Sequence, residues 1–414
     1  MGNRKYNRDR GDLAIVGGTY SNKGGLAIVH GTFKVFKELG INFKYMIDPE
    51  LSFPPEFFTS FNLIPIYRYS NVLWKKPTSS VNPIHTFYPF VKCLINSYKS
   101  QIRQLQGIPM WYIGDSSLND YRSILSLFGQ IISLKSLKMA INGKLIIGGI
   151  SLGRSRTRIG KLALQHFFKS VDYFFVRGWA SYHNLIKLGV PHNKISIVCD
   201  FAFYLDQRHS SRSEKYSKLI RNSDNPPIAL IFREYSHGRI RENYIKAIKK
   251  LVSKLRDYKI FFIPTSYSSF TPENDMVFLR KLQKILNIGD YSIINIENFS
   301  PGEIIHIFSN FDVVISARLH GAVYGALAGI PTIHLYDAHN SLDVIKDTFG
   351  EVIPLIKLSN FAKKDISSEI VGILKDLLHR KNEISLEITS RIKRARESSI
   401  VEFQHTLEEK RLLE

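Results

Sequence analysis

The feature of this sequence that most restricts its fold is a recurring order of apolar run, polar or Gly-rich turn, and amphipathic stretch. Strands and helices alternate in this way in a parallel sheet that helices cover on both faces. The sequence therefore predicts an α/β protein with parallel sheets. The apolar runs are residues 13–16, 144–147, 173–176, 195–198, 228–232, 260–263 and 313–315.

One stretch interrupts this alternation near the middle of the 414-residue chain. Residues 206–227, DQRHSSRSEKYSKLIRNSDNPP, hold few apolar anchors and end in a proline pair, which is typical of an interdomain connection. We therefore predict an N-terminal Rossmann-like domain over 11–206, a second one over 226–384 and a C-terminal helix over 385–414. Ligands of such sheets bind beyond the carboxyl ends of the strands, so the expected site is a cleft between two facing domains.

The formal net charge of +21, from 57 Lys and Arg against 36 Asp and Glu, favours anionic partners. The basic residues are spread along the chain and no nucleic-acid-binding module is recognisable, so we expect no specific nucleic-acid partner. A basic group on the last predicted helix has two interpretations: a solvated face, or a contact to a lipid-linked or polyanionic substrate. It consists of Arg391, Lys393, Arg394 and Arg396.

Cysteine usage and apolar segments bear on the compartment. Cys93 and Cys199 have no partner nearby in sequence, which argues against a disulfide framework, and Cys199 is expected to be a buried hydrophobic residue. The first ten residues lack the apolar stretch of a signal peptide, and no segment reaches about 18 uninterrupted apolar residues. We expect a cytoplasmic protein, with peripheral association at the inner face of the membrane as a further hypothesis.

The segment with the most chemical information is FDVVISARLHGAVYGALAGIPTIHLYD, residues 311–337. It predicts a buried strand, a turn that holds Arg318 and His320, a helix of small residues and a second strand. Free N–H groups at the start of such a helix favour an anion. A guanidinium can hold a carboxylate or phosphate, and an imidazole can transfer protons near neutral pH. The pair suits an anionic substrate that undergoes proton transfer; the alternative is a salt-bridging arginine and a helix-capping histidine.

Glycines mark two further features. Gly321, Gly325 and Gly329 recur every four residues, which leaves one face of the helix bare for close packing. The first turn, GGTYSNKGG at residues 17–25, is a Gly-rich strand-to-helix turn whose N–H groups can face an anion. This turn lacks the Gly-Lys-Ser/Thr ending of a Walker A loop.

Several segments, taken in order, resemble the polysaccharide pyruvyl transferase family. ISARLHGAVYGALAGIPTI is similar to its hallmark of a strand, Arg-Leu-His, a small-residue helix and Gly-x-Pro. GGISLGRSRTR, VRGWASYHNLIKLGVPHNKISIVCDFAFYL, IALIFREY and FFIPTSYSSFTPENDMVFLRKL resemble further family segments, so the likeness covers roughly residues 14 to 350. Two positions differ. Gly25 stands where the family's first turn usually has an acidic residue, and Ala338 and His339 follow Tyr336 and Asp337 where members often carry a lysine.

The resemblance implies an enzyme that transfers the enolpyruvyl carbons of phosphoenolpyruvate onto sugar hydroxyls as a ketal and releases phosphate. Its partners would be phosphoenolpyruvate, on the C-terminal domain, and a sugar, oligosaccharide or lipid-linked glycan acceptor, on the N-terminal domain. Protonation of the enol methylene needs a positioned acid, for which His320 beside Arg318 is the candidate. Arg318 and Arg233 would bind the two anionic groups, with Arg177 as a third cation. Asp200 is a candidate base for the acceptor, or else a cap of the next turn.

The other predicted substrate contacts are Ser21, Asn22, Gly24, Ser151, Gly321 and Tyr336. We expect no cofactor and no metal, because the thirteen histidines are dispersed, and His334, within a strand, is expected in the core. Two other functions stay open. The two-domain plan is GT-B-like and also fits a glycosyltransferase with a nucleotide-sugar donor. The positive charge also fits a noncatalytic polyanion-binding protein.

Overall fold

The computed structural model describes residues 12–48, 53–67, 105–113, 118–119, 124–234, 238–268, 273–286, 293–337, 340–363 and 365–414.

The N-terminal half of the chain forms a seven-stranded parallel sheet. The strand order is β3-β2-β1-β4-β5-β6-β7, so the chain starts in the middle of the sheet and builds outward to both edges, as in a doubly wound fold. The strands are β1 Leu13–Gly17, β2 Phe43–Asp48, β3 Ile64–Tyr67, β4 Met110–Ile113, β5 Leu145–Ile150, β6 Tyr173–Val176 and β7 Ile195–Ile197.

Helices cover both faces of this sheet, and alternate residues of β1 show it directly. Leu13 and Ile15 belong to one apolar core and Ala14 and Val16 to another, because successive side chains of a strand point to opposite faces. The first core includes helices α1 (Lys23–Glu38) and α2 (Pro55–Ser60) and the short 3₁₀ turn Phe201–Tyr204. The second includes α3 (Ile124–Ile141), α4 (Arg158–Phe168) and α5 (Trp179–Lys187).

The C-terminal half forms a second parallel sheet of five strands in the order β12-β11-β10-β8-β9. The strands are β8 Pro227–Ile231, β9 Lys259–Phe262, β10 Val313–Ser316, β11 Thr332–Tyr336 and β12 Leu355–Lys357. The helices of this half are α7 Gly238–Lys254, α8 Asp275–Leu286, α9 Pro301–Phe308, α10 Leu319–Leu327, α11 Asp347–Phe349, α12 Leu358–Lys363 and α13 Ser367–His379, with a π-helical turn at Leu342–Lys346. The prediction of an α/β protein with parallel sheets is confirmed.

The polar stretch 206–227, predicted as an interdomain connection, contains a helix, α6 (Ser211–Arg221). Ser210 caps it, because its hydroxyl accepts a hydrogen bond from the Ser213 N–H at 3.1 Å. Ile220 is fully buried and the helix packs on α9. Tyr216 also packs on the Phe299 ring, so a cap and two apolar contacts hold this short helix, which the polar composition alone did not indicate.

The last helix, α14 (Lys381–Glu409), joins the two halves. At about 1.5 Å per residue its 29 residues span about 44 Å. Near its start Lys381 pairs with Asp312 of the C-terminal half, and near its end Phe403 packs on Trp111 and Phe175 of the N-terminal half. The domain limits proposed from the sequence, 11–206, 226–384 and 385–414, stay predictions.

Two sequence expectations meet structural findings here. Cys199 is buried, as predicted, and burial raises the pKa of its thiol to about 12, while Cys93 lies outside the described residues. Among the described residues one helix, α3, is by length and composition apolar enough to cross a membrane. Lys135 and Lys138 interrupt its apolar sequence, so a search for an uninterrupted apolar run did not identify this helix.

Candidate active site

The predicted site residues all lie just beyond, or at, the carboxyl ends of strands. In the N-terminal sheet, Ser21, Asn22 and Gly24 follow β1, Ser151 follows β5, Arg177 follows β6 and Asp200 follows β7. In the C-terminal sheet, Arg233 follows β8, Arg318, His320 and Gly321 follow β10, and Tyr336 ends β11. Because every strand pair in each sheet is parallel, these ends share one edge of each sheet.

Backbone hydrogen bonds bring the two carboxyl edges together at the first turn. The Lys23 N–H donates to the Thr265 carbonyl at 2.9 Å, and the Tyr267 N–H donates to the Ser21 carbonyl at 2.9 Å. Tyr324 of α10 donates its hydroxyl hydrogen to the Lys23 carbonyl at 2.8 Å. Asn22 caps α1 by accepting from the Gly24 N–H at 3.0 Å. The Gly-rich turn is therefore a contact between the two halves.

His320 packs directly against Gly24 across this contact. A Cβ atom at position 24 would lie 2.3 Å from Nδ1 of His320, so only glycine leaves room for the imidazole. The His320 side chain is largely buried, and its Nε2 has no hydrogen-bond partner among the described residues. Gly24, which was predicted as a substrate contact, thus packs against the His320 side chain. Its direct contact with substrate stays a prediction.

Asp200 faces His320 from the N-terminal half. The distance from Asp200 Oδ2 to His320 Nε2 is 3.6 Å, within ion-pair range when the imidazole is protonated. Arg177 donates from Nη1 to Asp200 Oδ2 at 2.7 Å and from Nε to the Ser151 hydroxyl at 3.0 Å. The side chains of Arg177 and Asp200 are completely buried. We call Ser151, Arg177, Asp200 and His320 the interdomain cluster.

The charge of Asp200 is held by its neighbours. Burial alone would raise the pKa of this carboxyl, but the Arg177 guanidinium, the His320 imidazole and the Ala202 N–H together hold it well below its usual range. Asp200 is therefore an anion at neutral pH. It also caps the turn that follows, since Oδ1 accepts from the Ala202 N–H at 2.9 Å, so the capping interpretation is confirmed while the role of base stays a prediction.

Arg318, at the start of α10, is bound by a carboxylate that the sequence did not single out. Asp275 is fully buried, and its Oδ1 accepts from Arg318 Nη2 at 2.5 Å and from Nε at 3.2 Å. Its Oδ2 accepts from the Thr265 and Ser266 N–H groups at 3.1 and 3.0 Å. The salt-bridge interpretation of Arg318 is thus confirmed, while its binding of a substrate anion stays a prediction. The acidic turn that holds Asp275 was visible in the sequence, but its partner was not.

The remaining predicted residues take distinct places. Arg233 forms an ion pair with Asp337, and Tyr336 is half-buried beside it. Gly321 packs on the sheet, since a Cβ there would lie 2.4 Å from the Ser316 hydroxyl. Gly329 ends the helix with a φ of +69°, as its position predicted.

Lys23 is a second residue that sequence reasoning missed. Its side chain is fully buried, its Nζ lies 4.6 Å from the centre of the Tyr20 ring, and this nitrogen has no hydrogen-bond partner among the described residues. Burial lowers the pKa of Lys23 to about 8. Its place between Asn22 and Gly24 in a Gly-rich turn was the only signal. A buried lysine in the first turn therefore places a positive charge at the contact between the halves.

Gly25 occupies the position where an acidic residue was expected. A Cβ there would lie 2.4 Å from the Thr19 hydroxyl, so the turn in this chain has no room for a carboxylate side chain without moving Thr19. The second departure, at Ala338 and His339, lies outside the described residues.

A further contact between the halves closes the N-terminus of α5. Asp343 is fully buried and accepts from the Ser181 N–H at 3.1 Å and from its hydroxyl, and Asp347 accepts from the Trp179 N–H at 2.8 Å. Gly178 permits this approach, because a Cβ there would lie 2.5 Å from Asp347. Two of the free N–H groups at the start of α5, those of Trp179 and Ser181, are therefore satisfied by the opposite half.

The residues with metal-ligand spacing that the structure describes lie outside the interdomain cluster. Among the described residues, one group with ligand-like spacing consists of His209 in the segment before α6, Glu214 on α6 and His306 on α9. Glu214 also pairs with Arg221 at 2.5 Å. His334 is buried between the Ser316 carbonyl and the Ser341 hydroxyl, and burial lowers its pKa to about 4, which confirms its core role. Metal independence stays a prediction.

Two Rossmann-like domains that meet at their carboxyl edges, with a terminal helix crossing between them, define a GT-B-type α/β protein. Solved structures agree at low sequence identity. A glycosyltransferase from Rickettsia africae ESF-5 is 12% identical with a TM-score of 0.58, and the match covers 98% of each chain. Anabaena Alr3699/HepE in complex with UDP-glucose is 9% identical with a TM-score of 0.60, covering 96% of this chain and 98% of that one. Sucrose-phosphate synthase from Thermosynechococcus elongatus is 11% identical with a TM-score of 0.62, covering 97% and 99%.

The polysaccharide pyruvyl transferase family model matches residues 22–339. The chain therefore belongs to that family, and both the resemblance and the GT-B-like fold expected from the sequence are confirmed. No curated protein sequence matches the chain significantly. Membership of this family indicates a transferase that acts in polysaccharide pyruvylation.

Proposed function

We propose that this protein transfers the enolpyruvyl group of phosphoenolpyruvate onto two hydroxyls of a sugar, as a ketal, and releases phosphate. The acceptor is a polysaccharide, an oligosaccharide or a lipid-linked glycan precursor. No cofactor and no metal take part in this proposal. The reaction takes place where the two carboxyl edges meet, in the cytoplasm.

One observation carries the proposal: the buried His320 Nε2 has no hydrogen-bond partner among the described residues, yet lies 3.6 Å from the anionic Asp200. A buried polar atom without a partner is costly, so it is rare unless a ligand completes it. A protonated imidazole held between Asp200 and Gly24 can deliver a proton to a substrate carbon.

The chemistry follows from that proton. His320 donates it to the methylene carbon of the enol, the neighbouring carbon becomes oxocarbenium-like, and a sugar hydroxyl attacks that carbon. The carbon–oxygen bond to phosphate breaks, inorganic phosphate leaves, and a second hydroxyl closes the ketal. Each hydroxyl loses a proton as it attacks. One of these protons restores the imidazolium through His320, and the other leaves with phosphate or solvent.

The arginines supply the complementary charge. Asp275 holds Arg318 through Nε and Nη2, so its guanidinium is oriented at the N-terminus of α10, where free N–H groups also favour an anion. Arg233, which pairs with Asp337 at the same edge, would exchange that carboxylate for the carboxylate or phosphate of the substrate. Arg177 is a positioning residue, because its contacts hold Asp200 toward His320.

A second candidate is a glycosyltransferase with a nucleotide-sugar donor. The observation that favours it is the fold similarity to HepE, which was solved with UDP-glucose. A third candidate, a noncatalytic polyanion-binding protein, is favoured by the net charge of +21. Neither accounts for an unsatisfied imidazole nitrogen held beside a buried aspartate.

The deciding experiment measures phosphate release from phosphoenolpyruvate with hexose, N-acetylhexosamine and lipid-linked acceptors. We expect phosphate release that depends on the acceptor. Its rate should fall at least about 100-fold in His320→Ala, because a general acid usually accelerates a reaction by at least that factor, and it should also be lost in Arg318→Ala. The matched controls are His405→Ala and Arg394→Ala on the exposed side of α14, which should keep full activity.

The other outcomes separate the candidates. Turnover of a nucleotide sugar without consumption of phosphoenolpyruvate would support the glycosyltransferase. Salt-sensitive binding of unrelated polyanions without any turnover would support the noncatalytic protein.

A further inference from the structure

The outward sides of α3 and α4 differ from the rest of the described surface in carrying clustered apolar residues. Met139 and Leu125 of α3 and Ile159 and Leu162 of α4 leave between 60 and 79% of their surface in solvent. The two helices follow neighbouring strands, β4 and β5, and pack side by side. We call the outward sides of α3 and α4 the α3/α4 face.

Helix α3 has two apolar sides. Leu127, Ile131, Leu134 and Ile141 are buried and pack on the sheet. A second row at helical spacing points the other way and consists of the apolar residues Leu125, Phe128, Ile132 and Met139, with Lys135 among them, all half-buried or exposed. An ordinary surface helix of a soluble domain is polar on this side. The second apolar row is therefore a surface that a further partner can cover.

Charge indicates which partner. Residues 121–171 contain nine Lys and Arg and not one Asp or Glu, in a chain that has 36 acidic residues. On α4, Arg158 and Lys161 are exposed beside Ile159 and Leu162. Within α3, Lys138 pairs with Asp172 from outside the segment. Apolar side chains among lysines and arginines, without carboxylates, match an interface of acyl chains and anionic headgroups.

We propose that the α3/α4 face docks on an anionic phospholipid bilayer. The hydrophobic side chains enter the boundary between headgroups and acyl chains, and the basic side chains contact lipid phosphates. A protein interface is a poorer fit, because lysine is depleted in the cores of such interfaces.

The basic group on α14, an alternative site for lipid contact, is engaged within the fold. Arg396 donates to the Phe203 and Leu205 carbonyls, and Arg391 and Arg394 pair with Glu387. These contacts favour the solvated and structural interpretation of that group, so α14 serves as the comparison surface.

The geometry connects the α3/α4 face to the interdomain cluster. Helix α4 begins just after the carboxyl end of β5, and Ser151 of the cluster lies in the same connection. The N-terminal end of the docked face, with Arg158 and Ile159, therefore lies at the edge of the sheet where a lipid-linked acceptor would enter. This consequence rests on the proposed function, whereas docking itself does not.

The test is co-sedimentation of the full chain with vesicles of phosphatidylcholine alone or mixed with phosphatidylglycerol. We expect binding to the mixed vesicles that weakens at least about tenfold in Met139→Ser/Ile159→Ser/Leu162→Ser. A charge variant, Arg158→Glu/Lys161→Glu, should weaken binding at least as much, because each basic residue near the surface is worth about fivefold. The matched control is Leu386→Ser/Val401→Ser, two α14 residues that are 75 and 67% exposed, which should bind like the unmodified chain.

Binding of the mixed vesicles that is the same in all variants would overturn the proposal, as would no binding at all. A dimer seen by light scattering, lost in the apolar variant and accompanied by no vesicle binding, would show that a second copy covers this face. Because the assay needs no turnover, it gives its answer whether or not pyruvyl transfer is confirmed.

Discussion

The close contact between Gly24 and His320 allows a prediction that depends on geometry alone. In Gly24→Ala the new methyl carbon would lie 2.3 Å from His320 Nδ1, 2.5 Å from Cγ and 2.8 Å from Cβ. Ordinary contact begins near 3.4 Å, so the imidazole must retreat by about 1 Å. Overpacking of this kind costs about 1–3 kcal/mol of stability. A misplacement of about 1 Å in a reacting group can also cost about 100-fold in rate.

The stability part is measured as a double-mutant cycle from thermal or urea unfolding. Gly24→Ala should destabilise the unmodified chain. In the His320→Ala background Nδ1 and Cγ are gone and only the Cβ at 2.8 Å remains, so the same change should destabilise the chain much less. The expected coupling is about 1–3 kcal/mol. As a control, Gly372→Ala in α13 meets no atom within 4 Å and should stabilise the chain by up to about 1 kcal/mol.

The kinetic part is measured by phosphate release from phosphoenolpyruvate, where Gly24→Ala should lower turnover about 100-fold and Gly372→Ala should not. Equal destabilisation by Gly24→Ala with and without the imidazole would refute the proposed packing of His320 against the turn. Unchanged turnover in Gly24→Ala would refute the claim that the position of the imidazole matters.

Three further predictions concern buried charge. Lys23→Met should raise stability at pH 7 by at most about 3 kcal/mol, since the pKa of Lys23 falls from 10.5 to about 8 on folding. The unmodified chain should gain stability as pH rises from about 8 toward 10, because only the unfolded chain keeps that proton, and this gain should be absent in the variant; an equal pH dependence would contradict it. Asp343→Ala leaves the Ser181 N–H and hydroxyl without their acceptor and should lower the free energy of unfolding by about 1–3 kcal/mol, more than Asp347→Ala at the same helix end; the reverse order would contradict the burial argument. Folding lowers the pKa of Asp200, so its carboxylate stabilises the fold at pH values above the pKa of the unfolded chain, and this contribution disappears as acid protonates the carboxyl. Asp200→Asn should therefore lose less stability than the unmodified chain on acidification below about pH 4; identical acid unfolding curves would contradict it.

The sequence could predict the architecture because each element has a local signal. Buried runs such as residues 313–315 and the small-residue helix after them need only periodicity and glycine placement to be recognised. The rule that ligands bind at carboxyl ends then places Arg318, His320 and Asp200 at the right edges. The stop at Gly329 and the burial of His334 follow from the same local reasoning.

The partners of these residues could not be predicted, because they come from distant parts of the chain. Asp275, which holds Arg318, is 43 residues away, and Asp343 reaches Ser181 across 162 residues. Polar composition was a second source of error in the prediction. The stretch 206–227 is polar enough to suggest a linker, yet one capped turn and a buried Ile220 make it a helix. The position of Lys23 in a Gly-rich turn did not predict its burial, because a lysine in such a turn is ordinarily exposed.

The most direct test of the central claim is to run the reaction in deuterium oxide and analyse the product by mass spectrometry and NMR. If His320 delivers a solvent-derived proton to the enol methylene, the ketal methyl group of the product must carry one deuterium. Turnover should fall at least about 100-fold in His320→Ala while the folded state is kept. A product that keeps the carbon–carbon double bond and carries no solvent deuterium, or a glycoside formed from a nucleotide sugar with phosphoenolpyruvate untouched, would contradict the account.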